Sequence, residues 1–213
     1  IKKLCKLVAI FSYLSLTKFL EITFIVIQKI FKSDPKYELG YWAIRGLAQP
    51  IRFLLGHSGV SFTETRYGVD QDGNFMDDED ADWEKDKSNL NLSFPNLPYL
   101  FDLSKPDGVK ITQSNSILRY LGRELNYYGS SHDEKLQIDV LQDEAYDFRN
   151  AIVEAAYTLG EPYQAKLIEF ESVIAPKYIK RFEVYLTKQK NHNYFVGNRF
   201  SLVDFVIYEL IWQ

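Results

Sequence analysis

From Tyr37 onward, apolar and polar positions first alternate in short runs and later settle into helical spacing. Tyr37 to Trp42 reads as a short strand, broken at Gly46. Pro50 stands near the start of an amphipathic stretch, where its fixed φ and missing N–H do no harm. Ile51, Leu54 and Leu55 then repeat at helical spacing, and Gly56 and Gly59 end the helix. Phe62 to Tyr67 predicts a second strand, followed by a long acidic loop from Asp70 to Asp86. Tyr99 to Asp102 and Val109 to Thr112 predict a hairpin around the turn signal Pro106-Asp107-Gly108. Ser114 to Leu125 predicts a helix. Beyond Asp133 the pattern is helical throughout, over Asp133–Leu159, Pro162–Lys188 and Ser201–Gln213.

The order β-α-β-loop-β-β-α is that of a thioredoxin-like domain. The fold class expected is therefore an α/β thioredoxin-like N-terminal domain over residues 37–126, followed by an all-α C-terminal domain over 132–213, joined near Tyr127 to Ser131. Ser201-Leu202-Val203-Asp204 precedes an apolar run and reads as an N-capping box, with Asp in the place usually held by Glu or Gln.

Residues 1–36 differ from the rest. They are dense in Leu, Ile, Phe and Val and run from Lys2-Lys3 to Lys32. Three readings stand: a translated upstream sequence outside the functional protein, an anchor or interfacial helix, and a signal h-region over Leu7–Thr17. Lys18 and Glu21 interrupt the apolar run, so membrane association of residues 1–33 is a weaker reading than the first.

Composition narrows the function classes. Apolar residues make up 46% of 213, enough for a sizeable core, and aromatics 15%. The net charge of -4 and the absence of a basic stripe argue against nucleic acid as a partner. Cys5 is the only cysteine, so no internal disulfide forms, which fits a reducing, cytoplasmic setting. His57, His132 and His192 lie far apart without metal-ligand spacing, so no metal site is expected.

Three short stretches carry the chemistry. Gly40-Tyr41-Trp42-Ala43-Ile44-Arg45-Gly46-Leu47-Ala48-Gln49-Pro50 is a strand that ends in a Tyr. Phe94-Pro95-Asn96-Leu97-Pro98-Tyr99 presents a backbone edge before a proline. Ile111-Thr112-Gln113-Ser114 is a polar helix entrance. The combination suits one small extended anion bearing a thiol. Together these segments resemble the N-terminal half of a glutathione S-transferase of the mu class, and the resemblance extends over residues 37 to 213.

The resemblance implies an enzyme that conjugates the thiolate of glutathione, its co-substrate, to small apolar electrophiles, as in detoxification, with no metal or prosthetic group. Tyr41 is then the catalytic residue. A free thiol near pKa 8.5 is only about 3% thiolate at neutral pH. A phenol O–H within hydrogen-bond reach that lowers this by about two units supplies about 2.7 kcal/mol. That gain is at most about 30-fold in thiolate, so orientation must contribute the rest. Asn96-Leu97-Pro98 resembles the family's cis-proline turn, which would offer the Leu97 N–H and C=O to the cysteinyl backbone of glutathione. Gln113 and Ser114 enter a helix whose N-terminal N–H groups suit the γ-glutamyl carboxylate, and Ser114 would also cap that helix. By the same resemblance Trp42, Leu47, Trp83, Lys87, Asn96 and Pro98 complete the glutathione pocket, Lys87 facing the glycyl carboxylate. Asp147 would reach the partner subunit's glutathione, and Tyr157 would face the electrophile. Phe94 and Arg119 match interface positions of a twofold homodimer.

The sequence departs from the family pattern twice. Asp80 stands where a basic residue is expected, and Asp70 to Asp86 holds nine acids against Lys85 alone. At the other end the chain stops at Trp212-Gln213 inside a helix, which reads as a fragment. Phe205, Val206, Ile207, Leu210 and Ile211 would then lie partly uncovered, with poor solubility as the consequence. A non-catalytic relative that carries apolar ligands is the alternative function, since activity belongs to the site rather than to the fold. A thiol–disulfide oxidoreductase is excluded because no cysteine follows Cys5. The acidic loop predicts glutathione affinity weaker than the family norm that improves with added salt. Titrating glutathione at low and high ionic strength checks this, and a flat response contradicts it.

Overall fold

The computed structural model describes residues 34–68, 82–158, 160, 162–189 and 193–212. Most of the apolar extension, Cys5, His192, Asp80 and most of the acidic loop lie outside the described residues. Lys36 to Gln213 form one compact unit.

A four-stranded sheet, order β2-β1-β3-β4, occupies the first half of that unit. Its strands are β1 (Tyr37–Trp42), β2 (Phe62–Tyr67), β3 (Tyr99–Asp102) and β4 (Val109–Thr112), the spans expected from the sequence. β1 pairs parallel to β2 and antiparallel to β3, and β3 pairs antiparallel to β4. A parallel pair needs a crossover, supplied here by helix α1 (Gln49–Ser58). Pro50 sits in its first turn, Ile51, Leu54 and Leu55 are buried, and Gly59 closes it at φ +69°. At the centre of the sheet Tyr99 lies across Gly40, its register partner; a Cβ on Gly40 would come 2.0 Å from the Tyr99 ring. The buried Asp102 of β3 accepts from Ser104 N (2.9 Å), Ser104 Oγ (2.5 Å) and Tyr120 Oη (2.6 Å). Burial disfavours its charge, but these donors outweigh burial and hold its carboxyl below the usual range.

The stretch expected as an uninterrupted acidic loop contains a short helix, α2 (Trp83–Asp86), capped by the Asp82 side chain accepting from Lys85 N. Helix α3 (Ser114–Glu124) buries Ile117, Leu118 and Leu121. The long helix α4 (His132–Ala156) starts at Ser131, whose side chain accepts from Glu134 N, while Glu134 Oε2 accepts from Ser130 N. The single helix expected over Pro162–Lys188 is α5 (Pro162–Glu169), a π segment over Phe170–Ile174, and α6 (Ala175–Thr187). Pro176 explains the widening. It has no N–H for the Ser172 carbonyl, and its neighbour Ala175 donates to Phe170 O, five residues back.

Helix α7 (Leu202–Trp212) starts at the expected capping box. Asp204 Oδ2 accepts from Ser201 N (2.7 Å) and Ser201 Oγ (2.6 Å), and Asp204 Oδ1 accepts from Phe195 N (3.0 Å). The expected uncovered face is mostly absent. α7 packs against α1 and α4, which bury Phe205, Val206, Ile207 and Leu210; of the five residues named, Ile211 alone is exposed, at 51%. No helix among the described residues is long and apolar enough to cross a membrane.

Two outcomes follow from this core. Gly40→Ala is expected to lower stability by about 1–3 kcal/mol, because Tyr99 has no room to yield; urea unfolding measures it. Asp102 has a depressed folded value, so its contribution is present above the ordinary carboxylate range and is lost as pH falls through the folded value. The stability gap between the protein and Asp102→Asn should therefore narrow below about pH 4, a trend that urea midpoints across pH will show.

Candidate active site

Strand register brings the three chemical segments together. Gly40 is opposite Tyr99, and Tyr99 is opposite Thr112. The next residues along each strand, Tyr41, Pro98 and Gln113, therefore meet at one end of the sheet. Leu97 and Ser114 adjoin them there.

Tyr41 is 5% exposed. Its hydroxyl oxygen accepts from Leu47 N at 3.0 Å, and among the described residues its own proton has no acceptor. A phenol that accepts an N–H bond in this way is polarised as a donor. The turn returning Leu47 to the phenol passes through Gly46 at φ +38°, where a Cβ would come 2.6 Å from the Tyr41 oxygen. Only a residue without a side chain leaves that oxygen in place. A short 3-10 turn over Gly46–Ala48 then leads into α1.

Two arginines bracket the same turn. Arg52 of α1 donates from Nη1 to Ile44 O (2.8 Å), Arg45 O (3.2 Å) and Gln49 Oε1 (3.1 Å), and from Nε to Glu64 Oε1 (2.7 Å). Arg45 donates from Nε and Nη2 to the buried carboxylate of Glu209 on α7 (3.0 and 2.5 Å), and its guanidinium lies 4.1 Å from the Trp212 ring centre. The hydrogen bonds it donates to Glu209 hold the Arg45 guanidinium still more firmly protonated than usual. Neither arginine stands out in the sequence as a site residue. The Arg45–Glu209 pair spans 164 positions, and no local pattern announces it.

The Leu97–Pro98 bond is cis. The Leu97 N–H is not open, as expected from the sequence, but donates to Asn96 Oδ1 at 2.9 Å. Gln113 adopts φ 72° and ψ 110°, a conformation that costs an L residue about 1–3 kcal/mol. It is Gln113, not Ser114, that occupies the cap position of α3, and it makes no side-chain cap hydrogen bond. Ser114 is the first helical residue and is buried. The leading N–H groups of α3 thus face the sheet end without a capping side chain, an arrangement that favours an anion.

Trp42, Tyr67, Trp83 and Tyr99 form an aromatic row, with ring centres 6.2, 5.5 and 6.4 Å apart in that order. Trp83 is therefore largely a packing residue of the sheet. Lys87 pairs with Glu84 one turn back. Arg119 is occupied within the chain by Asp139 (3.1 Å) and Asp143 (3.2 Å) of α4. Phe94 projects into solvent at 75% exposure, and Asp147 is exposed on α4. Tyr157 follows the last turn of α4 and is 74% exposed; it lines neither of the apolar cavities at α7. The residues brought into one place are thus Tyr41, Leu47, Leu97, Pro98, Gln113 and Ser114. Tyr157 and Asp147 are carried by a different element. Among the described residues no cluster of side chains suits a metal ion.

Comparison with known proteins follows the same division. Residues 37–123 match the family described as Glutathione S-transferase, N-terminal domain, and residues 146–213 match Glutathione S-transferase, C-terminal domain. The chain is 38% identical over 173 residues to glutathione S-transferase Mu 4 of Mus musculus, covering 81% of this chain and 73% of that protein. It is 37% identical over 175 residues to glutathione S-transferase Mu 3 of Homo sapiens, covering 82% and 72%. Among solved structures, the pi-class glutathione S-transferase of Onchocerca volvulus superposes with a TM-score of 0.68 at 28% identity, covering 83% of this chain and 76% of that one. The sigma-class enzyme of Fasciola hepatica gives 0.69 at 25% identity, covering 84% and 80%.

Gly46→Ala is expected to drive the phenol off the Leu47 amide, because the new methyl occupies the oxygen's place. Amide hydrogen exchange at Leu47 should accelerate several-fold while the exchange of β3 stays slow.

Proposed function

Because the chain belongs to the glutathione S-transferase family, we propose that it is a mu-type enzyme in which Tyr41 holds the glutathione sulfur as thiolate for attack on small apolar electrophiles. The observation that carries this reading is the Tyr41 hydroxyl. It accepts from Leu47 N–H and keeps its own proton for a ligand, at the one place where the cis-proline turn and the uncapped start of α3 converge.

Glutathione would lie along this sheet end with its cysteinyl backbone against Leu97 and Pro98, and with the Asn96 carboxamide turned aside. The γ-glutamyl carboxylate would take the leading N–H groups of α3 with Gln113 and Ser114. Trp42 and Leu47 would flank the sulfur. Lys87 would meet the glycyl carboxylate near Trp83 after releasing Glu84. The thiol loses its proton to solvent, and the Tyr41 O–H donates to the sulfur anion that remains. The sulfur lone pair then forms the C–S bond while a leaving group departs with its electron pair. In addition to an epoxide, the C–O bond breaks instead and the oxygen takes a proton from a donor such as Tyr157. No metal or prosthetic group is needed for either course.

A twofold homodimer fits the exposed apolar surface. Phe94 stands out like a plug, and Leu136 and Val140 make a bare stripe one turn apart on α4. In such a dimer Asp147 would approach the partner's glutathione. A chain whose only cysteine is Cys5 suits a reducing, cytoplasmic setting.

Conjugation of chlorodinitrobenzene tests the chemistry. Tyr41→Phe should lower the rate at neutral pH by about an order of magnitude or more, with glutathione binding retained. An unchanged rate would overturn the role of Tyr41, and binding without turnover in the unaltered protein would favour a carrier. Phe94→Asp should shift the protein from dimer to monomer in sedimentation analysis, leaving the fold intact.

A further inference from the structure

The hydrogen bond from Leu47 to Tyr41 depends on a turn that its own backbone does not secure. Within the turn, Ala43 N donates to Tyr67 O (2.7 Å) and Gln49 N donates to Arg45 O (3.0 Å). Gly46, the most permissive residue available, separates that Arg45 carbonyl from the Leu47 amide. Three of the turn's carbonyls, that of Arg45 included, are gathered by one side chain. The Arg52 guanidinium reaches Ile44 O at 2.8 Å, Arg45 O at 3.2 Å and Trp42 O at 3.5 Å. These belong to three of the four residues between Tyr41 and Gly46. Glu64 and Gln49 aim the fork from the other side, and the Arg52 side chain is only 12% exposed.

Resting on the transferase reading, we propose that Arg52 is a positioning residue for thiolate formation: its planar fork fixes the Trp42, Ile44 and Arg45 carbonyls so that the Leu47 N–H stays on the Tyr41 oxygen. Arg52 itself lies outside the reacting groups, with its guanidinium carbon 6.0 Å from the Tyr41 ring centre. Its charge faces the Glu64 carboxylate, which Arg66 shares at 3.1 Å, and what distinguishes Arg52 is the geometry of several donors in one plane. A lysine in its place keeps the charge and the ion pair but offers a single nitrogen, which cannot span three carbonyls.

The pH dependence of bound glutathione thiolate, followed by its ultraviolet absorbance, distinguishes these roles. Arg52→Lys is expected to move the titration up by about half a unit or more, about threefold less thiolate at neutral pH. The glutathione KM should stay within about twofold, because the groups that hold its carboxylates lie elsewhere. Gln49→Ala removes one acceptor that aims the fork and alters no core residue. It should shift the titration in the same direction by less, and it serves if Arg52→Lys does not fold. In a Tyr41→Phe background, Arg52→Lys should add no further shift, since its effect passes through the phenol. A titration unmoved in both Arg52→Lys and Gln49→Ala overturns the proposal. So does a shift that persists undiminished without the Tyr41 hydroxyl, which would assign the effect to charge or to general loosening. An unaltered protein that binds no glutathione would remove the transferase reading, and the positioning role with it.

Discussion

The Tyr99 ring fills the space where a side chain on Gly40 would stand, and the whole sheet end is organised by that contact. The absence of a side chain at Gly40 lets the Tyr99 ring settle beside Trp83 and Phe101. The ring in turn holds β3 against β1 in one register. A slip of one residue would turn Tyr41 to the opposite face and move the Leu97–Pro98 turn away from it. The chemistry therefore depends on a glycine that takes no part in it.

The site itself is a contest between mobility and restraint. The turn from Tyr41 to Leu47 must be tight enough to bring an amide back onto a phenol, which requires Gly46, yet glycine leaves the turn free to open. Restraint comes from outside the turn. Arg52 binds its carbonyls from α1, and Arg45 ties it through Glu209 to α7. Removing Arg45 would leave the buried Glu209 carboxylate with less compensation, a costly state, whereas the more exposed Arg45 would lose less if Glu209 were removed. The α/β and helical halves of the chain are thereby joined at the point where reactivity is set.

Local features were legible in the sequence, and relations between distant segments were not. Alternation and turn residues located all four strands, because a strand's pattern is written in adjacent positions. The Ser201–Asp204 box announced the start of α7 for the same reason. Tyr41, Leu97, Pro98, Gln113 and Ser114 came from motif resemblance, and register then explained why they belong together. What remained hidden depends on partners elsewhere in the chain. The burial of Phe205 and Ile207 reflects α1 and α4 closing on α7, and no window around those residues contains either helix. The π segment at Phe170–Ile174 turns on one missing N–H at Pro176, a cue easily overridden by an otherwise continuous helical period. The capping role expected of Ser114 fell to Gln113, since the helix already includes Ser114 as its first residue, directly after the strained backbone of Gln113.

The hydrogen bond from Leu97 N–H to Asn96 Oδ1 gives the resting protein a self-sealed edge. A peptide docking there exchanges one hydrogen bond for another, and such an exchange contributes little net free energy. In the proposed complex the middle of the ligand would thus supply alignment, while discrimination would fall to its charged ends. The same hydrogen bond leaves neighbouring chains one fewer open N–H to pair with at this edge, so the Asn96 carboxamide covers the place that a docking strand would use.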